Sequence, residues 1–567
     1  MVFILRVIFL DRFPIGITHD ELNYIISAKS LFLTHSFAPG TAPAILPTGM
    51  ADYTVTVAEV PVFILTPFIG PVSFSLFMSR MIGALLSVTI ALALFLIVKN
   101  VTGKRSLAYA TLLLVAINPW SFLMGRSIFE VNFFVAFFLW GFWILIKNKG
   151  WKVLYALPLY LLGFFSYTGG QISFYLFMVA SLIYHYFENK KVNKKMYLLF
   201  FFFITAVLIG YFLVVFRNQS FTTRGGEIYL PTRPEVAQMV DEERKFSVPS
   251  GINKLFINKA TVFFNGFLDK YLNAFSINNL FLTGESRAAF SFQEHGNFYF
   301  IDLIFIIFGL CYLFTINRKA CFLVLTVIMV APLTSGLNVV EYSYSQRAGL
   351  MYPFLIILTG LGMGSFILSI NSVKLRKMFT VLVVGLYLLL FANLLHIYFY
   401  RFPVYASDGW FFQDRLLAKY IGSVQKKSSD IKIRVFSSEP KIVFEEYLFY
   451  SDSYNRTAAK NINSLMAKGE YSSGNLEFIN KCPTDKPRED EVYILDNTLA
   501  CDRLPWMKDP VRITRFRDVY ENYLIYNDKL CRDLKLGTYV NQSVYSNFTV
   551  EKQSPDMFCL NWITKIN

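Results

Sequence analysis

Charge is scarce along this chain. Only 16% of its 567 residues are Asp, Glu, Lys or Arg, against 54% hydrophobic and 17% aromatic, which leaves a soluble globular protein far too much apolar surface to cover. Histidine is scarcer still. The five, at 19, 35, 185, 295 and 396, nowhere share the spacing of a two-histidine zinc helix, so no metal-ligand set is assigned. No glycine-rich loop ending in Lys and Ser or Thr is present, which removes the P-loop nucleotide-binding classes. Acidic residues are missing from the middle of the long apolar runs, where ion-coupled carriers usually keep a carboxylate for the coupling ion.

What charge there is falls unevenly. From Phe399 onward there are 24 Lys and Arg against 22 Asp and Glu, leaving 30 against 17 in the first 398 residues. Of the net charge of +15, +13 therefore sits in the apolar part. Much of it lies in five short connectors, KNVTGKR (99–105), KNKGWK (147–152), KKVNKK (190–195), NRK (317–319) and KLRK (374–377). Basic connectors between apolar runs mark the cytoplasmic side. The positive balance is a topology signal, and nucleic acid is not expected as a partner.

Alternation then gives spans near 79–98, 106–123, 131–146, 153–167, 171–187, 197–216, 298–314, 320–336, 348–370 and 379–398. A hydrocarbon core of about 30 Å needs about 20 helical residues. The opening MVFILRVIFL reaches about half of that, so a further N-terminal stretch is expected before it. Counting that first helix, which has no small-residue cleavage site before DRFP, the expectation is eleven crossings with the N-terminus inside. The long connectors 11–78, 217–297 and 337–347 and the tail from 399 then all lie outside. The domain expectation is a transmembrane part, 1–398, and a small extracytoplasmic α/β domain, 399–567.

The tail changes character at YRFPVYASDGW. It pairs a helical stretch at 410–428 with strand-like IKIRVFSS (431–438), VYILD (492–496) and ENYLIYN (521–527). Four of the six cysteines are here, at 482, 501, 531 and 559. Outside the cell they can form two disulfides in any of three pairings, for example 482 with 501 and 531 with 559. Cys311 and Cys321 read as packing residues, and GLGMG (360–364) permits close helix approach. The sequons NRT (455–457) and NFT (547–549) matter only in a glycosylating compartment.

Ionisable groups gather at the outer ends of the apolar runs: Asp20, Glu21, Arg80, Arg126, Glu130, Asp302, Glu341 and Arg347. Asp20 and Glu21 are the most pointed case. Thr18 followed by Glu21 has the spacing of a capping box, and acids in a first helical turn are favoured by the helix dipole, so capping accounts for Glu21 without catalysis. Adjacent helical residues diverge by about 100°. One of the pair can cap while the other faces a cavity.

FPIGITHDELNYIISAKSL resembles the first outer loop of GT-C glycosyltransferases of the protein O-mannosyltransferase and aminoarabinose transferase type, whose first helix ends in a similar Asp-Glu pair with the Asp as base. The resemblance continues in order through SRMIGALLSVTIALALFLIVKNVTGK (79–104), NPWSFLMGRSIFEVNFF (118–134), GFFSYTGGQ (163–171), FSINNLFLTGES (275–286), HGNFYFIDL (295–303) and APLTSGLNVVEYSYSQRAGLMYPFL (331–355). It implies Asp20 as catalytic base supported by Glu21. It further implies that Arg126 and Glu130, four apart on one helical face, pair or bind sugar or phosphate, and that Arg347 holds a donor phosphate with its fork of donors. Their structural alternatives are a helix-end ion pair and a headgroup anchor. Tyr167 and His295 are further binding candidates, and His19 beside Asp20 could belong to a metal or substrate shell.

The implied reaction is inverting transfer of a hexosyl or pentosyl unit from a polyprenyl-phosphate donor to a hydroxyl of a protein, lipid or glycan, at the outer face of a multi-pass cell-envelope protein of the plasma membrane. No cofactor is assigned. Asp20, Glu21 and Glu130 could hold a divalent metal or act simply as bases and caps. The competing class is a transporter or lipid flippase that moves substrate without forming a glycosidic bond.

Overall fold

The computed structural model describes residues 1–43, 55–189, 194–217, 230–338, 343–502, 504–514, 523–538 and 548–565. Glu341 and residues 190–193 of the third basic connector lie outside them. The chain divides into two compact units. The first is Met1–Val7, Pro43–Pro61 and Gly83–Leu395; the second is Ile8–Ala42, Val62–Ile82 and His396–Asn567.

The first unit is helical. Among the described residues of the whole chain, six helical stretches are long and apolar enough to cross a membrane: Leu76–Thr102, Glu130–Lys147, Lys194–Val214, Arg318–Gly336, Met351–Ser369 and Val373–Tyr405. Four shorter apolar stretches are Glu59–Ile69, Arg105–Ile117, Gly150–Phe164 and Asp302–Ile316. The expected run 106–123 is two helices. Arg105–Ile117 stops at Asn118, whose side chain accepts from Ser121 N at 3.0 Å and opens Pro119–Met124 with Pro119 in its first turn. A proline preceded by a capping asparagine restarts a helix rather than continuing one. The run 320–336 likewise breaks at Pro332 before the turn Leu333–Gly336.

Glycines set the closest helix contacts. A Cβ on Gly362 would stand 1.8 Å from Phe305 O, and one on Gly309 would stand 1.9 Å from Leu358 O, so Asp302–Ile316 and Met351–Ser369 meet backbone to backbone. At Gly360 a Cβ would strike Thr111 Oγ1 at 2.3 Å, which brings Arg105–Ile117 onto the same face. The GLGMG stretch has the packing role expected of small residues between apolar helices.

The second unit is built on a seven-stranded mixed sheet. In chain order its strands are β1 Lys432–Phe436, β2 Tyr471–Ser473, β3 Leu476–Ile479, β4 Glu491–Asp496, β5 Val511–Ile513, β6 Tyr523–Tyr526 and β7 Ile563–Lys565, arranged β2-β3-β1-β4-β6-β5-β7. β1 pairs parallel with β3 and β4, placing Val435 beside Phe478 and Ile494; the remaining pairs are antiparallel. Every residue of β4 is buried, as suits a strand covered on both faces. Helix Phe412–Lys427 buries Phe412, Leu416 and Tyr420 on one stripe with Leu417, Ile421 and Val424 beside it, the spacing of an amphipathic helix. Two disulfides join Cys482 to Cys501 and Cys531 to Cys559. Helix His19–Thr34 belongs to this unit. Its Lys29 ammonium donates to Gly70 O at 2.9 Å and Val72 O at 2.6 Å, and its Ser30 Oγ accepts from Asn463 at 2.9 Å.

Candidate active site

The second unit holds the Asp20-Glu21 doublet. Thr18 caps the helix His19–Thr34: its Oγ1 accepts from Glu21 N at 3.2 Å, and Glu21 Oε2 accepts from Thr18 N at 3.2 Å, a complete capping box. The Glu21 carboxylate also faces Arg80, with Nη2 at 3.3 Å and Nε at 3.4 Å, and both side chains are fully buried. Arg80 spends its other donors on Pro14 O at 2.7 Å and on Gly16 O, and its guanidinium lies 5.3 Å from the Trp410 ring. Gly16 is required here, since a Cβ would stand 1.8 Å from Trp410 O. One carboxylate of the doublet is thus tied up in a cap and an ion pair. Asp20, its neighbour, is exposed in the helix's first turn, where the dipole favours its anion.

Around the same turn stand acids that sequence reading passed over. The ligand atoms of His19, Asp414 and Glu446 all lie within 4.8 Å of one another. Asp414 accepts from the Tyr523 hydroxyl. Glu446 is fully buried, and neither of its carboxylate oxygens has a hydrogen-bond partner among the described residues. Burial, with Asp414, Glu21 and Glu445 close by, pushes its carboxyl well above the usual range, and burial raises Asp414 to about 7. The neighbouring Arg415 is committed elsewhere, to both oxygens of Glu551 at 2.7 Å and to Ile15 O at 2.6 Å. A signal was present: IVFEEYLFY places two carboxylates inside an apolar helix, where acids are rarely buried without a reason.

The remaining predicted residues fall in the first unit. Arg126 is buried and donates to Leu5 O at 3.2 Å and Arg6 O at 2.9 Å, with Phe122 beneath its guanidinium at 5.5 Å. Glu130 opens its helix and accepts from Gln346 Nε2 at 3.1 Å, so it meets the turn that carries Arg347. Arg347 is half-buried and donates from Nε to Ser343 Oγ at 3.0 Å. Tyr167 is buried edge-on to Phe134 at 5.7 Å. His295 lies 2.7 Å from Gly296 O through Nδ1 and edge-on to Tyr299 at 5.5 Å; burial lowers its basicity. Glu285, unmarked by the sequence reading, is buried beside the Arg347 turn and accepts from Tyr344 N at 2.6 Å and Ser345 N at 3.2 Å. Burial outweighs those bonds and raises its carboxyl to about 7.

No family sequence profile matches the chain, and no curated protein matches it in sequence. It is similar to two crystal structures of ArnT from Cupriavidus metallidurans, one in the apo state and one bound to undecaprenyl phosphate. Identity is 10% in each case. The likeness covers 92% of this chain and 97% and 96% of those chains, with TM-scores of 0.42 and 0.45.

Proposed function

We propose that this chain is an inverting glycosyltransferase of the multi-pass membrane type, taking a sugar from a polyprenyl-phosphate donor to an acceptor hydroxyl at the outer face of the plasma membrane. Eleven crossings, an inner N-terminus and an extracytoplasmic tail complete the reading, which rests on the basic connectors and the motif resemblance. The observation that carries it is the division of labour in the doublet. Glu21 is fixed by Thr18 and Arg80, and Asp20 is held beside it as an exposed carboxylate on a rigid helix start.

In this reading Asp20 accepts the proton of the acceptor hydroxyl while that oxygen bonds to the anomeric carbon, and the bond from that carbon to the phosphate oxygen breaks on the opposite face. The polyprenyl phosphate leaves as an anion and needs positive charge more than a proton. Arg347 supplies it. Glu130 reaches the Arg347 turn through Gln346, and the motif resemblance assigns Tyr167 and His295 to donor binding. Arg126, the second candidate for that charge, gives donors to the Leu5 and Arg6 carbonyls.

The test is a lipid-extraction assay on purified protein with a panel of labelled polyprenyl-phosphate sugars. A new glycosidic bond supports the reading; movement of donor across vesicles without one supports a transporter or flippase and overturns it. Arg347→Ala should weaken donor binding in a protein of unchanged melting temperature. Unaltered donor affinity would remove Arg347 from the phosphate site.

A further inference from the structure

We propose that His19, Asp414 and Glu446 bind one divalent transition-metal cation, with zinc the best match to their donors. The three come from three different helices of the second unit, His19–Thr34, Phe412–Lys427 and Pro440–Ser451, and already converge to within 4.8 Å. Tetrahedral zinc with bonds of about 2.0–2.2 Å spaces its ligands about 3.4 Å apart, and side-chain shifts of about 1 Å close that gap.

Charge makes the stronger argument. Glu446 is fully buried, aimed into the cluster, and without a hydrogen-bond partner on either oxygen among the described residues. An ionised carboxylate in that position is unfavourable unless something neutralises it. The two nearby guanidiniums are occupied, Arg80 with Glu21 and two carbonyls and Arg415 with Glu551 and Ile15 O. Asp414 accepts from the Tyr523 hydroxyl and, at 3.5 Å, from Gln413 Nε2, both of them uncharged donors. One divalent cation balances both carboxylates.

The histidine fits the same role. Its Nε2 is buried with no hydrogen-bond partner among the described residues, and its ring is stacked on Phe411 with centroids 3.5 Å apart. A neutral imidazole is the form that binds a metal. One nitrogen and two carboxylate oxygens suit zinc or manganese better than magnesium or calcium, which prefer all-oxygen shells. Three protein ligands leave a fourth position for water. The ion would tie the turn carrying Asp20 to two helices of the tail. Its presence is independent of sugar transfer, so metal retention and transferase activity can fail separately.

The experiment uses the purified full-length chain, stripped with chelator, loaded with zinc chloride, dialysed and assayed by elemental mass spectrometry and melting temperature. The expected result is one zinc per chain and a raised melting temperature. Glu446→Gln and Asp414→Asn should each weaken zinc binding by at least about 10- to 100-fold and abolish the rise. Unmutated protein loaded with cobalt should show visible ligand-field bands that zinc displaces, a readout that survives if a variant fails to fold. Zinc uptake equal in the unmutated chain and in folded Glu446→Gln would overturn the proposal. So would an unchanged melting temperature with zinc together with a higher one for Glu446→Gln, the pattern of two carboxyls sharing protons instead.

Discussion

Glu21 and Arg80 face each other at 3.3 Å with both side chains withdrawn from solvent, while Asp20 beside them is exposed. Removing one member of a buried pair strands the other charge, at about 3–5 kcal/mol. Glu21→Ala should lose that much stability, and Arg80→Ala at least as much, because Arg80 also holds the Pro14 and Gly16 carbonyls. Thermal unfolding in detergent checks it. Melting temperatures within a degree or so of the unmutated protein would mean the pair is not formed.

The glycine contact between Asp302–Ile316 and Met351–Ser369 makes a second prediction. Gly362→Val drives a branched side chain into the Phe305 carbonyl, an overpacking cost of about 1–3 kcal/mol or more. Gly385, in helix Val373–His396, has open space within 4 Å of where a Cβ would stand, so Gly385→Ala should be neutral or stabilising by up to about 1 kcal/mol. Equal effects of the two substitutions on melting temperature would contradict the packing described.

A third prediction concerns pH. Glu285 has a folded pKa raised from 4.5 to about 7 by burial, so between those values the folded chain keeps a proton that the unfolded chain has released. Stability therefore falls as pH rises through this window, by at most about 1.4 kcal/mol per unit from this one group. Glu285→Gln, which stays neutral, should flatten the melting-temperature profile there. A variant profile parallel to the original would exclude Glu285 as a contributor.

Much of the architecture was legible. KIRVF, VYILD and YLIY declared themselves as strands by β-branched and aromatic runs, the helix at 412–427 by its stripe, and the disulfides fall in one of the three pairings open to four cysteines. The capping box could be read from Thr18 and Glu21 alone, because it is a local device. What stayed hidden was non-local. Arg80 stands 59 residues from Glu21, and nothing in the sequence announces their pairing. Asp414 sat unremarked in the helical stretch 410–428 and Glu446 in a segment given no element from the sequence, so their convergence on His19 appeared only with the fold. The breaks at Asn118 and Pro332 were visible as residues but lost to a search for long apolar runs.

The central claim turns on a single exposed carboxylate. Asp20→Asn preserves size and hydrogen bonding at the helix start but cannot take a proton at neutral pH. Transfer from a labelled polyprenyl-phosphate sugar by purified variant should drop about 100- to 10,000-fold while its melting temperature stays that of the original protein. Full transfer by a folded Asp20→Asn enzyme would contradict the account.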